Sequence, residues 1–211
     1  MNNWHQDIYA KAWNFATRAH HGQTYGGGNE GERVAYINHI ASVAMEVIWA
    51  LQSDPAADGN LAIQCALLHD TIEDTATTFE MVADLFGLPV AQGVLALSKN
   101  PDLAKADQLN DSLHRIRQQP REIWMVKLAD RITNLYQPPF YWGNDKILSY
   151  QAEASNILNQ LGAANTLLHA VRFNGRQLLP LWEALAAVPP PPARPLVDIV
   201  PHGALPALVA G

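Results

Sequence analysis

Cysteine is almost absent from this chain of 211 residues. The single cysteine, Cys65, stands inside an apolar helical run, so neither a disulfide framework nor a thiolate zinc site is expected. A small buried hydrophobic side chain is therefore a better interpretation of Cys65 than a reactive thiol.

Positive charge is also in short supply. Lys and Arg number 14 against 20 Asp and Glu, which gives a formal net charge of -6. Because nonspecific binding to nucleic acid needs a basic surface, no nucleic-acid partner is expected. A small anionic substrate stays compatible with this charge if a few local cations hold it.

Long apolar runs are missing as well. No uninterrupted run approaches the ~20 residues that a membrane-spanning helix needs. The first residues contain no basic segment followed by an apolar core, so no signal peptide is expected. We therefore predict a cytoplasmic protein without a membrane partner.

Alternation with period two, the pattern of a half-buried strand, is not sustained anywhere, whereas helical periodicity runs along most of the chain. The fold class is therefore predicted to be all-α, a bundle of about eight to ten helices. The Gly-rich residues 22–33 are predicted to be a flexible loop, since no Gly-Lys-Ser/Thr follows the glycines. The predicted helices cover residues 4–20, 36–51, 61–75, 77–87, 89–97, 107–118, 122–136, 144–161, 163–172 and 176–187.

From Val188 onward the composition becomes rich in proline. Such a segment cannot be helical and is expected to lie on the surface or to be poorly ordered. We therefore predict one domain over residues 1–187 and a Pro-rich tail over residues 188–211.

Four ionisable residues on three predicted helices are candidate metal ligands: His39, His69, Asp70 and Asp130. Two imidazoles with two carboxylates suit a borderline-to-hard divalent cation such as manganese or iron. Four protein ligands on an octahedral ion leave two positions, for water and a substrate oxygen, and the ion lowers the pKa of that water.

Helical spacing brings further groups to the same place. Glu73 and Asp74 follow Asp70 at i+3 and i+4, so all three carboxylates can face one pocket. On a later helix, one face carries Lys127, Asp130 and Asn134. Arg131 is adjacent to this face.

Each of these residues has a simpler explanation when taken alone. A lone histidine at a helix start, such as His39, is more often a cap than a ligand, and Asp130 with Arg131 can form a surface ion pair. The joint order of His, His-Asp and a distal Asp, each on a predicted helix, favours the metal site.

Four segments occur in a specific order: FATRAHHGQ at 15–23, YINH at 36–39, ALLHDTIEDT at 66–75 and VKLADRITNL at 126–135. Together they resemble the hydrolase domain of the RelA/SpoT alarmone enzymes, which are HD-domain metal-dependent phosphohydrolases. The resemblance extends over about residues 5–162. Because the chain is too short for the synthetase and regulatory domains of the long enzymes, it resembles a stand-alone small alarmone hydrolase.

The resemblance implies an HD-domain helical bundle with four ligands for one Mn²⁺ ion, namely His39, His69, Asp70 and Asp130. It implies that Glu73 and Asp74 position and deprotonate the attacking water. Asn134 is expected to line the nucleotide site, and Lys127 or Arg131 to support phosphate binding or the local fold. The implied reaction removes the 3′-pyrophosphate from a guanosine or adenosine 3′,5′-polyphosphate such as (p)ppGpp.

The chain departs from this family in the loop that follows the first motif. The family usually carries an Arg-Lys pair there, whereas residues 23–30 contain neither cation, and Ile40 replaces a frequent proline. Our hypothesis is that Tyr25 takes over stacking on the base, since an aromatic face can stack on any base. The phosphate charge would then fall to Arg33, Lys99, Lys127 or Arg131.

Two alternatives follow from this departure. The same site can act on another phosphomonoester, such as NADPH or a different nucleotide. The scaffold can also serve as a non-catalytic nucleotide sensor, although every metal and acid/base position is present in the sequence.

Overall fold

The computed structural model describes residues 3–27, 29–135, 141–165 and 168. None of the described helices is both long and apolar enough to cross a membrane. The helices are α1 (Gln6–Ala19), α2 (Ile37–Leu51), α3 (Gly59–Leu68), α4 (Thr71–Asp74), α5 (Phe79–Phe86), α6 (Leu88–Leu97), α7 (Lys105–Arg117), α8 (Arg121–Asn134) and α9 (Asn144–Leu161), followed by a short 3₁₀ helix at Gly162–Ala164.

Capping residues define several of these boundaries. The Asp58 carboxylate accepts the backbone N–H of Leu61 at 3.0 Å and begins α3. Thr78 accepts the N–H of Met81 at 3.3 Å and begins α5, which ends at Gly87 with a positive φ of 92°. The predicted helix at 144–161 coincides with α9.

Helix α3 is the centre of the bundle and packs against α1, α2, α6 and α8. Eight of its ten residues are buried, so its apolar character extends around the whole helix rather than along one stripe. Cys65 is fully buried in this helix, and burial raises the pKa of its thiol, which confirms the prediction of an inert core residue. The rigid helix ends where the ionisable cluster begins.

The predicted continuous helix through residues 61–75 is wrong at one point, because the chain turns between α3 and α4. The Thr71 hydroxyl donates to the Leu68 carbonyl at 2.7 Å and so satisfies the end of α3. The Asp74 N–H still donates to the Asp70 carbonyl at 2.8 Å, so the predicted i,i+4 relation of these two residues is kept.

A small hairpin stands where a loop without strands was predicted, so that prediction is wrong for these residues. Strand β1 (Thr24–Gly26) pairs antiparallel with β2 (Arg33–Ala35), with Tyr25 opposite Val34. Three residues per strand are too few for a period-two pattern to be recognised in the sequence. These two strands form the only sheet in the described part of the chain, and the predicted all-α fold class is confirmed.

Several predictions fall outside the described residues. They are the end of the helix at Tyr136, most of the helix at 163–172, the helix at 176–187 and the tail at 188–211. The division into a domain at 1–187 and a tail at 188–211 therefore stays a prediction.

Candidate metal centre and substrate pocket

The four predicted ligands converge from three parts of the fold. His39 lies in the first turn of α2, His69 and Asp70 lie in the turn between α3 and α4, and Asp130 lies on α8. One ligand atom from each of the first three residues lies within 4.8 Å of the others. The Oδ1 atom of Asp130 lies 3.4 Å from Nε2 of His39, which places this carboxylate beside the group.

Hydrogen bonds fix how both imidazoles face the group. Nδ1 of His69 lies 2.8 Å from the Ala66 carbonyl, which can only accept, so Nδ1 carries a proton. The Thr133 hydroxyl donates to the Asp130 carbonyl and therefore presents its oxygen to Nδ1 of His39 at 3.4 Å. Both residues consequently turn Nε2 toward the carboxylates, which is the arrangement of a metal-binding histidine.

The residues present fit a divalent cation. Nε2 of His69 is buried and makes no well-aligned hydrogen bond in the described structure, although Oδ2 of Asp70 lies 2.9 Å away. Burial opposes ionisation of Asp70 and Asp130. The adjacent His69 nevertheless holds the pKa of the Asp70 carboxyl below its usual range, and Lys127 does the same for Asp130. Ionised carboxylates facing imidazole nitrogens form a donor set for manganese, iron or a similar ion.

The two following carboxylates have different partners. Glu73 accepts the backbone N–H of Lys99 at 2.8 Å and forms an ion pair with its ammonium group. Asp74 forms no ion pair within the described residues, although Lys99 acts on it from a longer distance, and its Oδ2 lies 3.4 Å from the hydroxyl of Tyr36. Burial and the neighbouring Asp70 and Glu73 carboxylates raise the pKa of Asp74.

A cavity of about 880 Å³ opens above the ligand group, within the range of sites that hold small ligands. It is bordered by α2, α4, α7, α8, the hairpin and the start of α9. All ten predicted site residues line it: Tyr25, His39, His69, Asp70, Glu73, Asp74, Lys127, Asp130, Arg131 and Asn134.

Two of the predicted substrate residues contact Asp130, a candidate ligand. Lys127 forms an ion pair with Oδ2 at 3.0 Å, and the Asn134 amide donates to Oδ1 at 2.6 Å. These bonds orient the carboxylate and support its ionised form.

Arg131 is buried on the cavity wall. Its guanidinium lies 3.9 Å from the centre of the Tyr150 ring, and Nη2 lies 3.3 Å from a carboxylate oxygen of Glu153. Nε and Nη1 are buried and make no hydrogen bond in the described structure, so three N–H groups of the guanidinium have no partner among the described residues.

Comparison with known proteins agrees with this geometry. A family model described as HD domain matches residues 12–167. The chain belongs to the HD domain family. Guanosine-3′,5′-bis(diphosphate) 3′-pyrophosphohydrolase MESH1 of Danio rerio is 31% identical over 159 residues, covering 74% of this chain and 84% of that protein. The Homo sapiens protein of the same name is 29% identical over 162 residues, covering 75% of this chain and 87% of that protein.

A solved structure has the same fold. It belongs to a metazoan ortholog of SpoT that is described as hydrolysing ppGpp, and it superimposes with a TM-score of 0.68 at 22% identity. The alignment covers 84% of this chain and 97% of that chain. The resemblance inferred from the four sequence segments is therefore confirmed.

The loop in which this HD domain departs from the RelA/SpoT pattern forms one edge of the cavity. Tyr25, on β1, is 39% exposed and meets Tyr36 edge-on, with ring centroids 6.2 Å apart. Arg33 does not line the cavity, because its guanidinium donates to the Thr24 hydroxyl. The suggestion that Arg33 carries phosphate charge is therefore not supported, whereas Lys99, Lys127 and Arg131 do line the cavity.

Sequence reasoning missed the opposite wall of the cavity. Trp142 and Tyr150 form an edge-to-face pair at 4.9 Å, and the Lys146 ammonium lies 5.4 Å and 5.8 Å from their ring centres. All three line the cavity together with Lys105. The spacing of Trp142, Lys146 and Tyr150 at i, i+4 and i+8 was the available signal, since it places them on one helical face.

Proposed function

We propose that this protein is a metal-dependent pyrophosphohydrolase that removes the 3′-pyrophosphate from guanosine or adenosine 3′,5′-polyphosphates such as (p)ppGpp. The observation that carries the proposal is the convergence of His39, His69, Asp70 and Asp130 at the base of a cavity that Glu73 and Asp74 also line. The named relatives catalyse this reaction in their own right, and the cavity supplies the groups that it needs.

One divalent ion, which we propose to be Mn²⁺, would be held by the two Nε2 atoms and the Asp70 and Asp130 carboxylates. When bound, it supplies a Lewis acid that polarises a phosphoryl oxygen and lowers the pKa of adjacent water. Lys127 and Asn134 act through Asp130, because their bonds hold that carboxylate in place.

Asp74 is the better candidate for the general base. Lys99 forms a direct ion pair with Glu73 and acts on Asp74 only from a longer distance, and the raised pKa of Asp74 makes it a stronger proton acceptor than an ordinary aspartate. Water attacks the phosphorus that is bonded to the ribose 3′ oxygen, and its proton passes to Asp74. The bond from phosphorus to the 3′ oxygen breaks, the 3′ oxygen takes up a proton, and pyrophosphate leaves with the nucleoside 5′-di- or triphosphate as the second product.

The substrate would lie between the hairpin and α9. Tyr25 presents an exposed ring for stacking on the base, and the three N–H groups on Nε and Nη1 of Arg131, which have no partner among the described residues, would donate to a phosphate oxygen. Lys99, Lys105 and Lys146 add positive charge to the cavity of a protein whose net charge is -6. This local charge allows an acidic protein to bind a polyphosphate. The cytoplasmic location stays a prediction from the sequence.

A product assay tests the proposal. The protein is incubated with guanosine and adenosine 3′,5′-polyphosphates, with Mn²⁺ or with a chelator, and the products are identified by anion-exchange chromatography. We expect pyrophosphate and a 5′-di- or triphosphate only when Mn²⁺ is present. Release of inorganic phosphate instead, or equal turnover with the chelator, would contradict the proposed reaction.

A second candidate keeps the metal centre and changes the substrate. The observation that favours it is the hairpin itself, which carries Tyr25 where the RelA/SpoT enzymes usually carry an Arg-Lys pair. NADPH and other phosphorylated nucleotides belong in the same assay. Turnover of one of these with none of the alarmones would favour this candidate, and tight nucleotide binding without turnover would favour a sensor.

A further inference from the structure

The hydroxyl of Tyr36 stands between the metal group and the proposed base. It donates to Oδ2 of Asp70 at 2.5 Å and lies 3.4 Å from Oδ2 of Asp74. A hydroxyl has a single proton, so the short bond goes to Asp70 and the longer approach places the same group against Asp74. Tyr36 therefore contacts two carboxylates that the proposed mechanism uses for different purposes.

The oxygen that Tyr36 contacts is the one that faces the imidazoles. Oδ2 of Asp70 lies 2.9 Å from Nε2 of His69 and 3.7 Å from Nε2 of His39. A carboxylate oxygen has two lone pairs, so the Tyr36 hydroxyl can occupy one and leave the other for a cation. The Tyr36 hydroxyl gives Oδ2 its one well-aligned hydrogen bond in the described structure, so it restricts rotation of the Asp70 carboxylate beyond what the His69 contact at 2.9 Å does alone.

The backbone holds Tyr36 in this position through Gln23. The Tyr36 N–H donates to the Gln23 carbonyl at 2.9 Å, and the Gln23 side-chain amide donates to the Asp74 carbonyl at 2.7 Å. Because that amide nitrogen is a donor, Oε1 of Gln23 accepts from Nδ1 of His20 at 2.7 Å. The His20 ring lies 5.0 Å from the Tyr36 ring and is itself buried. The end of α1, the hairpin and α4 are thereby tied together around the hydroxyl.

We propose that Tyr36 is a positioning residue, which orients the Asp70 carboxylate toward the two histidines and fixes its distance from Asp74. The inference that Tyr36 orients Asp70 for metal binding rests on the geometry of the chain. The inference that it also supports catalysis through Asp74 rests on the proposed function. Groups that hydrogen-bond to metal ligands typically change metal affinity or activity about 10- to 100-fold when they are removed.

The first test measures Mn²⁺ binding to the metal-free protein by calorimetry. Tyr36→Phe keeps the ring and removes only the hydroxyl, and Tyr9→Phe makes the same chemical change on α1, outside the cavity. We expect Tyr36→Phe to weaken Mn²⁺ binding at least tenfold and Tyr9→Phe to leave it unchanged. Binding by Tyr36→Phe within twofold of the unchanged protein would overturn the inference.

A second variant separates the hydroxyl from the ring. Tyr36→Leu also removes the packing against His20, so we expect the same loss of Mn²⁺ affinity together with a lower melting temperature. If Tyr36→Leu lowers the melting temperature while Tyr36→Phe binds Mn²⁺ normally, Tyr36 is a packing residue only, and the inference is wrong.

Kinetics at saturating Mn²⁺ test the catalytic role of Tyr36. We expect Tyr36→Phe to lower kcat about tenfold with a smaller change in KM, because the hydroxyl is hydrogen-bonded to the Asp70 carboxylate and lies against that of Asp74. If the unchanged protein turns over the substrate and Tyr36→Phe has the same kcat, the catalytic role of Tyr36 is rejected and its role in metal binding is not affected. If the unchanged protein binds Mn²⁺ and releases no pyrophosphate from any alarmone, the proposed function fails, and the Mn²⁺ titrations still decide the role of Tyr36 in the metal centre.

Discussion

At the scale of single residues, the protonation state of His69 bears most directly on metal binding. Burial lowers the pKa of this imidazole, but the Asp70 and Asp130 carboxylates outweigh burial and raise it from 6.5 to about 9 in the metal-free protein. Below pH 9, Nε2 therefore carries a proton on the atom that would bind the ion. A cation and this proton compete for the same lone pair.

This competition predicts a pH-dependent affinity. One proton should leave for each ion bound between pH 7 and 8, so the apparent affinity should rise about tenfold per pH unit and become constant above pH 9. Calorimetry in buffers of different ionisation enthalpy counts the released protons. An affinity that does not change between pH 7 and 8, with no proton release, would show that His69 is not a ligand.

The unequal environments of Glu73 and Asp74 give a second prediction. Asp74→Asn removes the proposed base and should lower kcat about 100-fold or more, whereas Glu73→Gln disturbs the pairing with Lys99 and should cost about tenfold. Both variants should bind Mn²⁺ as the unchanged protein does, since the side chains of Glu73 and Asp74 contact Lys99 and Tyr36 and not the two candidate histidine ligands. Single-turnover rates and Mn²⁺ titrations compare each variant with the unchanged protein. Near-normal turnover in both variants would remove the acid/base role from this pair.

At the scale of elements, the hairpin and the segment before α9 meet across the cavity. A Cβ atom added at Gly26 would lie 3.1 Å from the ring of Tyr141, so this close approach depends on glycine. Tyr25 on the hairpin and Trp142 beside Tyr141 both line the cavity. The width of the substrate site is therefore set by how closely β1 approaches residues 141 and 142.

Gly26→Ala should consequently affect substrate binding and not chemistry. We expect KM to rise severalfold with kcat nearly unchanged, because the substitution moves Tyr141 and leaves the metal ligands in place. Gly143→Ala is the matched control, since a Cβ at that position would meet nothing within 4 Å. Steady-state kinetics on both variants decide the matter. A fall in kcat with normal KM in Gly26→Ala would contradict the assignment of this contact to the substrate site.

At the scale of the whole molecule, the long helices and the proximity of the candidate ligands could be predicted from the sequence because their signals are local or fixed in order. Asp58 and Thr78 cap α3 and α5 as their residue types suggest, and α9 has a long apolar period. His39, His69, Asp70 and Asp130 could be grouped because their order in the chain is specific to a family. Distances and protonation could not be predicted, since they depend on how α2, α3 and α8 pack.

The features that sequence reasoning missed are those decided by tertiary contacts. The turn between α3 and α4 depends on one hydroxyl, that of Thr71, competing for a helix carbonyl. The hairpin is too short to produce a periodic pattern, and the aromatic pair Trp142–Tyr150 becomes a cavity wall only because α9 packs against α8, which sets Tyr150 against Arg131. Short elements and cavity walls therefore have to be taken from the structure.

The most direct test of the central claim measures bound metal and pyrophosphate release together in one variant. Asp130→Ala removes a ligand carboxylate, and Asp84→Ala removes an exposed carboxylate on α5 as a control. We predict one Mn²⁺ per chain and Mn²⁺-dependent pyrophosphate release from ppGpp for the unchanged protein and for Asp84→Ala, with both lost in Asp130→Ala. Full metal content and normal turnover in Asp130→Ala would contradict the account.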